Sequence, residues 1–154
     1  MATTAAPRKV TTSTDRYRAL RWATVVFVTG WLLHSADHAR RGTEVVTRHV
    51  QGLGVYGGLV MLLTVTLVFT GHRWAPHVAA FLCLPGSLLI AAVHLLPSWG
   101  VFSDAFPGGA ARGVSALSWV AVLIETAGKL AVGLIGVAML VRGDATRSPV
   151  PSRT

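Results

Sequence analysis

The sequence predicts an all-α integral membrane protein, a bundle of four transmembrane helices with both termini in the cytoplasm. Three observations carry that expectation. Of the 154 residues, 52% are hydrophobic and only 13% charged, against roughly 25% charged in ordinary soluble domains. The apolar residues gather into four long runs, giving a mean hydropathy of +0.56, and a helix needs roughly 17–25 such residues to cross the hydrocarbon. All the Lys and Arg residues except Lys129 sit in the tails, connections or ends of those runs, where they orient a chain in a membrane.

The spans fall at about residues 19–35, 50–70, 75–96 and 115–141, within a membrane domain covering 16–142. Their abundant Val would suit strands in water. In lipid an uninterrupted run must satisfy its own backbone hydrogen bonds, so helix prevails over propensity. The first span, "ALRWATVVFVTGWLLHS", is the shortest. Arg16, Arg18 and Arg21 precede its core as they would a signal peptide, but no small-x-small cleavage pattern follows, so the span is expected to stay in the protein. The flanking segments 1–15 and 143–154 are rich in Thr, Ser, Pro and Ala without apolar periodicity and read as disordered tails.

Orientation follows from where the positive charges lie. Arg8, Lys9, Arg16, Arg18, Arg21, Arg73, Arg142, Arg147 and Arg153 share one side, and Arg40, Arg41, Arg48 and Arg112 the other. Nine against four places both termini inside. The tryptophans agree: Trp22, Trp31, Trp74, Trp99 and Trp119 all fall near predicted span ends, at the depth an interfacial indole prefers. The net charge of +8 does not form one basic face, which argues against nucleic acid as a partner. Cys83 is the single cysteine, so an intrachain disulfide and a CxxC metal motif are both excluded. Arg far outnumbers Lys among many Ala, Gly and Val residues, a composition suited to a GC-rich bacterial genome. The expected location is therefore the bacterial plasma membrane, with multiple passes.

The chemistry-bearing residues converge on the outer side of this topology. "HSADHARRG" ends the first span and places His34 and His38 on one helical face, four residues apart, with Asp37 beside them. His94 lies one turn from the outer end of the third span. His34, Asp37, His38 and His94 are thus the candidate metal ligands, since imidazole suits Zn, Cu, Fe or Ni. Asp104 and His49 are expected at the rim, and the loop "PSWGVFSDAFPGG" over the site as a lid. A b-type haem held between His34 and His94 is the alternative cofactor. In the fourth span Glu125 and Lys129 stand at i and i+4 in the order that favours an ion pair. An unpaired charge at that depth is costly.

Small residues mark packing faces. Gly54 and Gly58 form a GxxxG pattern, and Gly133 and Gly136 add a second small surface; both suit contacts within the bundle or with a second copy or a membrane-complex partner. Pro85 and Gly86 should kink the third span. No Walker loop, dinucleotide fingerprint or hydrolase elbow is present. Three functions stay open on this reading: a membrane protein with an outward His/Asp metal pocket, a haem or metal redox enzyme or subunit, and an accessory subunit without chemistry of its own.

Overall fold

A computed structural model describes residues 12–143; the expected tails at 1–11 and 144–154 lie outside the described residues. Four long helices account for most of the chain. They are α1 (Ser13–Arg41), α2 (Arg48–Phe69), α3 (Ala75–Leu95) and α4 (Ala116–Val141). No strand occurs among the described residues. Helix α1 begins inside the segment expected to be a tail. The Thr12 side chain accepts the Asp15 N–H, and the Asp15 carboxylate accepts from the Thr12 N–H and hydroxyl. This capping box satisfies backbone donors that a helix start leaves free.

Helices α2, α3 and α4 are each long and apolar enough to cross a membrane; α1 is not among them. Its apolar core is bounded by Arg21 and by the polar run from His34 to Arg41. The residues that make its C-terminal end chemically interesting are also those that dilute its hydropathy. Around the assembly, Leu59, Leu62, Phe81, Leu88, Leu123 and Val141 point outward with large exposed areas, as lipid-facing side chains do.

Helix α4 is flanked by α1 and α3 and runs antiparallel to both. A Cβ on Gly30 would fall 2.5 Å from the Glu125 Cα, and one on Gly128 would fall 2.7 Å from the Phe27 Cα. Gly133 and Gly136 approach the α3 backbone at Leu84 and Ala80 just as closely, both at 2.8 Å from the backbone nitrogen. The small surface expected on the fourth span is therefore filled by α3 within the chain. On α2, Gly52, Gly54 and Gly57 have open space where a Cβ would stand, and Gly58 meets only the Trp31 ring. Helix α2 is the least enclosed of the three apolar helices, with 22% of its apolar window buried against 44% for α4.

The expected distortion in α3 takes the form of a π turn over Ala79–Cys83, immediately ahead of Pro85. Pro85 has no N–H to give the carbonyl four residues earlier, and its ring crowds that carbonyl. A wider turn relieves both problems.

The glycine contacts predict a clear contrast in stability. Gly128→Val should weaken the fold by about 1–3 kcal/mol or more, because its side chain meets backbone that cannot yield. Gly52→Ala should be neutral or slightly stabilising, since it adds a better helix former into open space. Thermal unfolding of the purified variants in detergent checks this; equal midpoints would contradict the close α1–α4 approach.

A candidate metal centre

Helix geometry brings His34 and His38 one above the other on α1, and the crossing of α1 with α4 carries them toward the end of α3. The imidazole centroids of His34 and His38 are 4.7 Å apart, those of His34 and His94 4.7 Å, and those of His38 and His94 5.8 Å. One ligand-capable nitrogen from each of the three lies within 4.8 Å of the other two. A tetrahedral metal with ligand distances of about 2.0–2.1 Å holds its nitrogens about 3.4 Å apart, so small side-chain rotations close the set.

Each histidine is held in its own way. His34 Nδ1 lies 2.5 Å from Glu125 Oε2, and its Nε2 is buried without a hydrogen-bond partner. His94 is 3% exposed, and its Nδ1 sits 3.2 Å from the Asp104 carbonyl and 3.5 Å from the Asp104 carboxylate. His38 Nδ1 is buried and unpartnered. Burial lowers the His38 pKa from 6.5 to about 4, with His34 and His94 adding to the effect. The ring is therefore neutral at pH 7, the form in which imidazole ligates.

The carboxylates anchor the rings. Glu125 accepts from His34 on one oxygen and from Lys129 Nζ, 3.3 Å away, on the other. Lys129 also lies 4.9 Å from the centre of the Phe27 ring, a cation–π contact. Asp104 receives both ends of the Arg41 guanidinium at 2.7 and 2.8 Å, while Arg41 Nε donates to the Arg112 carbonyl. Burial alone would raise the Asp104 pKa. Hydrogen bonds from His94 and Arg41 outweigh it and hold the carboxyl below the usual range.

The segment after α3 folds back against His94. The Asp104 and Phe106 N–H groups donate to the Val93 and His94 carbonyls, which the helix end leaves free. Phe106 packs against His94 at 5.0 Å and Trp119 at 5.3 Å.

Three residues of the expected site, the candidate ligand Asp37 and the rim residues His49 and Asp104, are placed differently. Asp37 is fully buried, but it turns toward Arg40, which donates to it at 2.9 Å and also to the Gly113 carbonyl. Three residues past His34, it projects to a different side of the helix from His38, and it is not part of the histidine group. His49 is exposed and packs on Phe102 at 5.0 Å, away from the trio. Asp104 is not at a rim: it is 4% exposed and underlies His94. The haem expected between His34 and His94 does not fit either. Axial imidazoles must lie on opposite faces of the macrocycle, and these rings touch edge to face.

His34, His38 and His94 line a cavity of about 520 Å³, with Glu125 and Lys129 also in its wall. Gly54 and Gly58 also border it, and most of the remaining lining is apolar. With its few convergent polar groups, this has the size and character of a small-molecule site, for which about 300–1,000 Å³ is usual.

No family model, curated protein or solved structure matches the chain. The fold and site define its class by themselves: an all-helical chain with three membrane-length apolar helices and a histidine cluster able to hold a metal.

The buried network makes a measurable forecast. Lys129→Met removes the cation beside the buried Glu125 carboxylate and leaves it only His34, whereas Lys129→Met with Glu125→Gln removes both charges. The single variant should lose about 3 kcal/mol or more, and the double variant less. Unfolding midpoints from these two variants and from Glu125→Gln alone close the cycle; a double loss equal to the sum of the two single losses would argue against a coupled pair.

Proposed function

We propose that the chain is a small integral membrane protein of the bacterial plasma membrane that binds one transition-metal ion through His34, His38 and His94. The observation that carries this reading is the pair of buried, unpartnered ring nitrogens, His34 Nε2 and His38 Nδ1, beside His94. A buried nitrogen without a partner is costly, and a metal ion removes the cost at both. The arrangement behind the rings supports the same reading. Ligating histidines characteristically rest their second nitrogen on a carboxylate or carbonyl, which fixes tautomer and orientation. Glu125 does this for His34, and Asp104 for His94.

Three imidazoles leave a tetrahedral ion one open position, as in catalytic rather than structural zinc sites. In this reading α1 crosses with the other three helices, giving a four-helix bundle with the metal near the outer surface and both termini inside. The Arg40–Asp37 and Arg41–Asp104 pairs have a structural role: they tie the end of α1 to the loop and to the start of α4.

Purified protein loaded with Zn²⁺ and freed of excess should retain one ion per chain by elemental analysis. His34→Ala, His38→Ala and His94→Ala should each abolish retention, while His49→Ala and His72→Ala should keep it. Glu125→Gln should weaken binding by about 10–100-fold, as loss of a ligand's anchoring partner does. Retention unchanged in all three histidine variants would leave the accessory-subunit reading in front. For the orientation, a reporter fused after Thr154 should be active only if it functions in the cytoplasm; periplasmic activity would invert the topology.

A further inference from the structure

The cavity that the histidines line suggests what the open coordination position receives. We propose that it binds a long-chain carboxylate, with the anionic head on the metal and the chain in the cavity between α2 and the other helices. This rests on the metal reading above and extends it to a ligand class.

Charge supplies the first argument. Lys129 offsets Glu125, Arg41 offsets Asp104, and Arg40 offsets Asp37. Every acidic side chain near the trio is therefore already matched by a cation of this chain. A divalent ion on three neutral imidazoles brings two positive charges that no side chain balances. In a site this enclosed, an unbalanced charge is expensive. An anionic fourth ligand lowers that cost, and a carboxylate oxygen is an established partner for such metals.

The surroundings of the open position supply the second argument. Apart from the histidines, Glu125, Lys129 and a few other polar residues, most of the cavity wall is apolar, with Val60, Leu82, Leu89 and Ile90 among its residues. A small hydrophilic anion would leave that volume unfilled. The wall toward α2 includes Gly54, Val55 and Tyr56, all exposed on the surface of an apolar, membrane-length helix. Beside α2 the cavity is therefore bordered by exposed residues, and with α2 read as a membrane-spanning helix it opens toward acyl chains. The glycines there keep the opening wide, since a Cβ at Gly54 would meet nothing within 4 Å. An occupant entering by this route has an apolar body and carries its charge at one end.

The test uses full-length protein in lipid nanodiscs loaded with Co²⁺, whose visible spectrum reports its ligands. Palmitate should change the cobalt bands and do so at concentrations at least about tenfold below acetate, the effect of some two methylenes moved onto an apolar wall. Methyl palmitate, which has the chain without the charge, should leave the bands unchanged. Gly54→Phe and Ile90→Trp fill the cavity from opposite sides and leave the three histidines in place. Either variant that folds should keep the cobalt spectrum while losing the palmitate response by about tenfold or more on the same basis. Absence of any protein-bound cobalt band would defeat the metal reading and this proposal with it. A cobalt band that palmitate does not alter, that acetate alters equally well, or that methyl palmitate alters too would overturn the carboxylate proposal alone. A full palmitate response in the cavity-filled variants would do the same, by showing that the chain lies elsewhere.

Discussion

The close crossing of α1 and α4 fixes the rest of the molecule. Gly30 faces the backbone of Glu125, and Gly128 faces the backbone of Phe27, in a reciprocal contact that no larger residue permits. Two helices joined this way cannot slide by a turn without driving a side chain into main chain. Their register is therefore set, and with it the level at which α1 presents His34. One turn beyond Gly30, His34 meets Glu125; one turn beyond Glu125, Lys129 meets the Phe27 ring. In lipid, where apolar burial does not drive helices together, small residues and polar contacts of this kind carry association.

From that crossing the polar groups form a ladder running from the interior of the bundle to the loop after α3. Lys129 holds Glu125, Glu125 holds His34, and His34 stands against His38 and His94. Asp104 holds His94, and Arg41 holds Asp104. The charged members cancel in pairs, which makes their burial tolerable. The trio in the middle is different: two of its nitrogens have no partner. That contrast separates the part of the ladder that supports the fold from the part available to a ligand.

Local periodicity made half of this arrangement legible in the sequence. His34 with His38, and Glu125 with Lys129, follow from spacing of four on a helix. His94 followed from the alternation of helix direction, which brings the ends of the first and third helices to one side. Asp37 was misplaced because three residues and four residues along a helix diverge by a large angle once a neighbour such as Arg40 competes for the carboxylate. The Arg41–Asp104 pair joins residues 63 apart through an irregular loop, and no spacing rule reaches across it. Gly30 and Gly128 looked like ordinary glycines of apolar runs, since nothing in either segment alone shows that they face one another. The first span was expected to be the shortest of the four, and its polar C-terminal end keeps it out of the membrane-length apolar set.

The central claim is that three histidines from two helices share one ion, and X-ray absorption at the zinc edge of the loaded protein tests it most directly. The account predicts a first shell of three imidazole nitrogens near 2.0–2.1 Å, completed by one oxygen donor, with the outer-shell scattering typical of imidazole rings. A shell containing sulfur, or one made of oxygens without the imidazole pattern, would contradict it.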